Sequence, residues 1–239
     1  MIRSVSLDLG GTLLTEVPPR FEIYASEARR EGFDVDAARM KGLMRGAHAR
    51  LPRELDGAFR YSDPWFERFI AEIFAVDLGL GAERLPEVTE RLFERFESPT
   101  SFRLFPGVER LLEGLRALDL RVGVLSNWSA RLPRVLAAVG LDGAFDFVVC
   151  SALDRVEKPD PRAFLLAAER AGVLPSELCH AGDRVDLDGA AREAGCEFVH
   201  VRHPGAVDTT MDPGPRSGDH VASAAGLVAL LDRITERVR

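Results

Sequence analysis

Lysine is nearly absent from this 239-residue chain: Lys41 and Lys158 are the two, and every other basic residue is arginine. Basic residues as a whole, 31, fall short of the 38 acidic ones, which leaves a formal net charge of -7. That balance excludes the electrostatic footprint of a nucleic-acid or anionic-membrane partner, so an anionic substrate has to be met by a local basic pocket. Cysteine is scarce too. Cys150, Cys179 and Cys196 are odd in number, lack Cys-x-x-Cys spacing and lie in or beside apolar runs, so they read as buried reduced thiols rather than a metal site. No apolar run approaches the length of a membrane span, and Met1-Ile2-Arg3 leads into an apolar segment without a signal-peptide pattern. The expected location is the cytoplasm.

What is present is a chain long enough to bury a substantial core, as one large domain or a core with a modest insertion. Val5-Ser6-Leu7 reads as a buried strand, and Asp8-Leu9-Gly10-Gly11-Thr12-Leu13 as the tight turn that ends it. Asp8 then stands at a strand's carboxyl end, where ligands bind in open parallel α/β sheets. A capping aspartate in a turn is the plain alternative. From Pro18 to about Pro99 the spacing turns helical. Phe21, Tyr24, Ala25 and Ala28 mark a first helix, and Asp36 to about Leu51 a second. Ser62-Asp63-Pro64 opens a third through Trp65, Phe66, Phe69, Ile70, Ile73 and Phe74, with Ser62 as its cap; Val88, Leu92, Phe93 and Phe96 mark a fourth. Four helices and no strand predict a small helical bundle inserted into an α/β core.

Beyond the insertion, helix and strand alternate. The stripe Val108, Leu111, Leu112, Leu115 and Leu118 precedes a strand over 120–125; Leu132, Val135, Leu136 and Val139 form a helix that Gly140 ends, before a strand over 145–150. Pro161 opens the next helix, a strand over 178–181 leads to Gly182-Asp183, a helix runs to about Ala194, and Phe198-Val199-His200-Val201 closes the series. The pattern predicts an α/β fold with a doubly wound, Rossmann-like parallel sheet: residues 1–16 and 100–239 as core, 17–99 as helical insertion. His203 to Asp219 is a Gly- and Pro-rich stretch without periodicity, and a last helix near Leu227, Leu230, Leu231 and Ile234 packs back on the sheet.

Three more short motifs follow strand-like runs: Val124-Leu125-Ser126-Asn127, Lys158-Pro159-Asp160-Pro161, and Gly182-Asp183 with Asp186 and Asp188 close behind. With Asp8 they resemble the haloacid dehalogenase-like superfamily of hydrolases, whose pattern is an aspartate nucleophile after the first strand, a Ser or Thr after the second, a Lys, and an acidic pair after Gly-Asp. Each motif alone is weak; four in order over most of the chain are specific. The resemblance implies that the insertion is a cap that closes over the site and chooses the substrate. It implies Asp8 as nucleophile, and Ser126, the Asn127 N–H and Lys158 as holders of the phosphoryl oxygens, together with Gly11 and Thr12. A Mg²⁺ ion would be bound by Asp8, Asp183 and the carbonyl of Gly10, with Asp188 beside it and Asp186 less firmly placed. A lysine at the motif position in an arginine-rich chain points to a need for a compact ammonium.

One departure matters. Phosphatases of this family carry Asp-x-Asp-Gly-Thr, whereas here Gly10 replaces the second aspartate. That residue protonates the leaving group and activates water in the resembling enzymes, help of about 10² to 10⁴ in rate. Three readings stay open. One is a phosphatase of a small phosphorylated metabolite whose leaving group needs little protonation, such as an acyl or enol phosphate, or whose acid is His48 or Glu16. Another is carbon-phosphorus or carbon-halogen cleavage on the same nucleophile, with Lys41 as the candidate Schiff-base lysine. The last is a non-catalytic metal and phosphate-binding module. The expected partner is a small phosphorylated substrate, on a monomer or homodimer.

Overall fold

The computed structural model describes residues 1–204 and 222–238. Strand β1 (Ser4–Leu7) is buried throughout, as a strand covered on both faces must be. A tight turn follows, and the chain resumes in β2 (Leu14–Glu16). The insertion then builds α1 (Arg20–Arg30), α2 (Ala37–Arg50), a short hairpin of β3 (Glu54–Leu55) and β4 (Ala58–Phe59), α3 (Asp63–Ala71) and α4 (Leu85–Glu97). It returns through β5 (Phe102–Leu104), which pairs antiparallel with β2, so a two-stranded ribbon forms the stem through which the chain enters and leaves.

The second half supplies α5 (Val108–Ala117), β6 (Arg121–Ser126), α6 (Leu132–Ala138), β7 (Phe147–Cys150), α7 (Ser151–Asp154), α8 (Pro161–Ala171), β8 (Leu178–Gly182), α9 (Val185–Asp188), β9 (Glu197–Arg202), β10 (Ser223–Ala225) and α10 (Leu227–Val238). Six strands form one parallel sheet in the order β10-β9-β8-β1-β6-β7. The chain leaves β1 for β6 and β7 on one side, then crosses back to β8 on the other. Strand order therefore reverses beside β1, and ligands bind outside the carboxyl ends at such a point.

Period-two alternation sends side chains to opposite faces. Val122, Val124, Cys179, Ala181, Val199 and Val201 meet α5, α6 and α10 on one face. Leu125, Phe147, Val149, Leu178 and Phe198 meet α8 on the other, where Ala163, Phe164 and Ala167 are fully buried. The insertion has an apolar cluster of its own, with Trp65, Phe69, Phe74, Met40 and Met44 at its centre; the Trp65 and Phe69 rings stack with centroids 5.6 Å apart. All three cysteines are free and buried.

Several expectations need correction. The insertion is not strand-free: Asp56 and Gly57, both at positive φ, make the tight turn of the β3–β4 hairpin, a conformation that Asp-Gly adopts readily. Ser62 stands at the start of α3, but its hydroxyl is buried and has no partner, so it does not cap through its side chain. The helix expected to run to Ala194 is instead the short α9 and a 3₁₀ turn over Gly189–Arg192, with the chain turned over Phe198 and Val185 at Gly189. The strand expected over 145–150 begins at Phe147, because the Asp146 carboxylate accepts a hydrogen bond from the Val122 N–H, 2.8 Å. Of the stretch His203 to Asp219, residues 205–219 lie outside the described residues. Among the described residues no helix is long and apolar enough to cross a membrane.

Candidate active site

Register fixes the site before any side chain is considered. Leu7 lies opposite Val124 on β6 and Ala181 on β8, so Asp8, one residue on, and Ser126 and Asp183, two residues past those partners, gather at neighbouring carboxyl ends. The Asp8 N–H still donates to the Ala181 carbonyl (2.9 Å), which ties the aspartate to the end of the sheet. Its Oδ1 accepts from the Ser126 hydroxyl at 2.7 Å and pairs with the Lys158 ammonium at 2.9 Å. Both contacts fall on one oxygen, which leaves Oδ2 to face the cavity.

Lys158 is the hub of this network. Its side chain is 1% exposed, and its ammonium sits between Asp8 and Asp188, 2.5 Å from Asp188 Oδ1. Burial opposes the charge, but Asp188 and Asp8 outweigh it and hold the lysine above its ordinary range. Asp188 is fully buried. Burial alone would raise its pKa; Lys158 and His180 instead keep it below the usual carboxylate range. Its Oδ1 also meets His180 Nε2 (3.0 Å), whose Nδ1 lies 2.9 Å from Ser6 Oγ, and its Oδ2 accepts from the Arg184 N–H (2.8 Å). Asn127 fixes the lysine from the other side: its side-chain amide accepts from the Lys158 N–H and donates to the Lys158 carbonyl, both at 2.8 Å.

Asp183 completes the acidic group. Carboxylate oxygens of Asp8, Asp183 and Asp188 lie within 4.8 Å of one another, and Lys158 pairs with Asp8 and Asp188. Burial, then the charges of Asp8 and Asp188, push the Asp183 carboxyl well above the usual range, with Lys158 pulling it back. A hard divalent cation fits here: carboxylate oxygens suit Mg²⁺, and its charge removes the repulsion that the protein leaves uncompensated. Asp8 and Asp183 have oxygens to offer it. Asp188 has both oxygens engaged within the protein, so it would stand behind such an ion, and it orients Lys158.

The turn after Asp8 departs from its expected part. Gly11 has φ +80°, and a β-carbon there would overlap the Asp183 carboxylate, so glycine is required for Asp183 to reach Asp8. The Gly11 N–H donates to the Leu14 carbonyl (2.8 Å) and the Thr12 N–H to Leu9 (3.3 Å). Thr12 is fully buried with its hydroxyl toward Asp183 Oδ1 at 3.4 Å. These donors are used inside the turn, so Gly11 and Thr12 support Asp183 rather than face a phosphate. Asp186 pairs with Arg184 (Nε to Oδ1, 2.7 Å) and stands outside the acidic group.

Asp8, Gly10, Ser126, Asn127, Lys158 and Asp183 open on a cavity of about 280 Å³ whose other walls come partly from the insertion. Arg20, Arg53, Arg60 and Arg184 line it; Arg20 pairs with Glu16 and Arg184 with Asp186, while Arg53 and Arg60 share Glu157, which leaves that pair one positive charge in excess. Glu157 is buried there against Arg53 (2.7 Å) and Arg60 (3.4 Å). His48 lines the cavity, its ring stacked on Tyr61 at 6.2 Å. Glu16 does not line it; its carboxylate is taken by Arg20 at 2.5 and 2.8 Å. Nor does Lys41, whose ammonium lies over the Phe21 ring, 5.4 Å from the centroid. Over Gly10 stands Trp128: a β-carbon there would lie 3.1 Å from the Trp128 ring, so the indole fills the place over the turn that follows Asp8.

Some of these residues were hidden in the sequence. His180 sits in an apolar strand run where it read as part of the core, although a histidine between Cys179 and Ala181 is itself a signal. Glu157 immediately precedes Lys158, and Trp128 follows Asn127, so adjacency to a motif was their mark. Arg20, Arg53 and Arg60 carried none, being three arginines among many.

The family model of the haloacid dehalogenase-like hydrolases matches residues 2–195 of the chain. The haloacid dehalogenase-like hydrolase domain-containing protein 3 of Mus musculus is 32% identical over 197 residues, covering 81% of this chain and 78% of that protein. A phosphoserine phosphatase of Thermus thermophilus is 31% identical over 238 residues, covering 89% and 94%. The crystal structure of a 2-haloacid dehalogenase from Pseudomonas syringae superposes with a TM-score of 0.68 at 24% identity over 100% of both chains, a likeness of fold.

Two tests follow from the charges. Asp188 is held below its ordinary pKa of 3.8, so its stabilising effect is full above pH 3.8 and is lost as the pH falls through the lower folded value. Asp188→Asn is expected to cost about 3–5 kcal/mol at neutral pH by leaving Lys158 under-compensated, with the gap to wild type closing in urea unfolding below pH 3.8. Asp183 is shifted the other way, so its charge opposes folding at neutral pH and ceases to as the pH falls. In EDTA at pH 8, Asp183→Asn is expected to melt above wild type; Mg²⁺ at a hundred times its Kd is expected to stabilise wild type by about 2.7 kcal/mol and to leave the variant unmoved.

Proposed function

The chain belongs to the haloacid dehalogenase-like hydrolases, and on that premise we propose that it is a Mg²⁺-dependent phosphatase that acts on a small phosphorylated metabolite through an aspartyl-phosphate on Asp8. The observation that carries the reading is Asp8 itself: one carboxylate oxygen is held by Ser126 and Lys158, and the other stands at the floor of an arginine-lined cavity.

In this mechanism Asp8 Oδ2 attacks phosphorus, the bond to the leaving-group oxygen breaks, and that oxygen departs with the electron pair. Ser126, whose one hydroxyl proton goes to Asp8 Oδ1, keeps the attacking carboxylate oriented together with Lys158, and Lys158 with the Asn127 N–H receives the charge on the phosphoryl oxygens. Water then attacks the aspartyl-phosphate at phosphorus, the bond to Oδ2 breaks, and phosphate leaves with Asp8 restored. A Mg²⁺ ion held by Asp8 and Asp183 would offset the repulsion between the carboxylate and the phosphoryl dianion. Arg53 and Arg60 share the single carboxylate of Glu157, and the positive charge left over on that pair draws an anionic substrate into a protein of net negative charge.

The other chemistries on the same nucleophile have less behind them. Phosphonate cleavage through a Schiff base needs a lysine at the cavity, and Lys41 is not at it. Carbon-halogen cleavage in the family proceeds without a metal, whereas three clustered carboxylates around one ammonium favour a bound cation. A pure binding module has no use for a bare carboxylate oxygen backed by a buried lysine. Phosphate release from acetyl phosphate checks the reading. Wild type is expected to turn over in Mg²⁺ and to stop in EDTA, and Asp8→Asn is expected to lose about 10³-fold or more in kcat.

A further inference from the structure

A second cavity adjoins the first. It holds about 120 Å³, lies between the insertion and the core, and shares Arg20, Tyr61, Asn127 and Trp128 with the cavity over Asp8. Its own walls are aromatic and apolar: Tyr24, Phe66, Phe93, Phe96 and Phe102, with Met44 from α2. Protein interiors are close-packed and leave few voids larger than a water molecule, so a chamber of this size against a nucleophile is a place for a ligand rather than a packing fault. An apolar cavity of about 150 Å³ holds a benzene ring, which sets the scale of the occupant.

The charges in the chamber wall are already matched. Arg20 is held by Glu16 at 2.5 and 2.8 Å. Arg131 is held by Asp63 at 2.7 Å and Glu97 at 3.2 Å, with its guanidinium 3.8 Å from the centroid of the Phe93 ring. Neither arginine is left to recognise a charged group, and a buried carboxylate or ammonium added here would lack a counter-charge. The chamber accepts an uncharged apolar body.

Trp128 joins this chamber to the chemistry. Its ring lines both cavities and closes over Gly10, so the place beside the nucleophile is apolar where an acid would be needed to protonate a poor leaving group. A phenol, with a pKa near 10 as in tyrosine, departs with much less help from an acid than an aliphatic alcohol. Chamber shape and missing acid thus ask for the same leaving group.

We propose, resting on the phosphatase reading above, that the aromatic chamber is the leaving-group subsite and that the substrate is a phosphomonoester of a compact, uncharged phenol. The aryl ring lies in the chamber, stacked among Trp128, Tyr61 and Phe93, and the phosphoryl group lies at Asp8. The Asp8 Oδ2–P bond forms as the P–O(aryl) bond breaks, the aryl oxygen keeps the electron pair, and the phenolate takes its proton from water after release.

The test compares phenyl phosphate, 4-carboxyphenyl phosphate and acetyl phosphate on the full chain with Mg²⁺. The carboxyphenyl ester has the better leaving group, so chemistry alone favours it, whereas the chamber rejects its charge. Phenyl phosphate is expected to have the higher kcat/KM by about tenfold or more. Met44→Trp fills the chamber away from Asp8 and is expected to raise KM for phenyl phosphate at least about tenfold more than KM for acetyl phosphate. Met44→Ala enlarges it and is expected to gain activity on 1-naphthyl phosphate, which keeps the proposal testable if the tryptophan variant does not fold. Acetyl phosphate turnover with equal or better use of the carboxyphenyl ester, or Met44 variants that alter all three substrates alike, would overturn the subsite. No turnover of any of the three would instead overturn the phosphatase reading beneath it.

Discussion

A buried ammonium between two carboxylates organises this end of the sheet. Lys158 is almost wholly removed from water, and an unpaired charge there would cost several kcal/mol. Asp188, itself fully buried, provides the partner, and His180, held in turn by Ser6, and the Arg184 N–H consume the remaining capacity of Asp188. Asn127 clamps the lysine backbone. With its orientation set from behind and from the side, Lys158 can hold one oxygen of Asp8 and leave the other bare. The geometry at Asp8 is therefore a consequence of charge pairing inside the core rather than of the loop that carries it.

The same balance explains why Asp183 is strained electrostatically. Lys158 is committed to Asp8 and Asp188, so the third carboxylate enters the group without a cation of its own. Gly11 is what lets it enter, since any side chain there would collide with it. A site in which the backbone gives way so that a carboxylate can approach two others has been shaped for a positive charge from outside. Around this acidic floor the walls are arginine on one side and aromatic on the other, and Trp128 belongs to both.

How much of this was legible in the sequence depends on whether the signal was local. Five of the six sheet strands announced themselves as short apolar runs, whereas the edge strand β10, Ser-Ala-Ala, had no such run to mark it; Asp8, Ser126, Lys158 and Asp183 stood just past strand ends or in a recognisable motif. The insertion helices were marked by their stripes. The β3–β4 hairpin carries the Asp56-Gly57 turn signal, but two-residue strands have no periodicity to read. The short α9 looked like the start of a longer helix because Ala190, Ala191 and Ala194 favour helix, and only the closure onto β9 turns the chain early. The roles of Gly11 and Thr12 were misassigned for a physical reason: sequence shows which donors a turn has, but not that Leu9 and Leu14 carbonyls have taken them. His180 and Arg53 act through partners distant in sequence, and pairings of that kind have no local trace.

The measurement that bears most directly on this account is the mass of the protein quenched in acid during turnover of acetyl phosphate in Mg²⁺, followed by peptide mapping after borohydride reduction. A single phosphoryl group on Asp8, absent in Asp8→Asn and discharged when substrate is exhausted, is the predicted result. Sustained phosphate release with no adduct on Asp8, or with an adduct elsewhere, would contradict the assignment of Asp8 as the nucleophile that Lys158 holds in place.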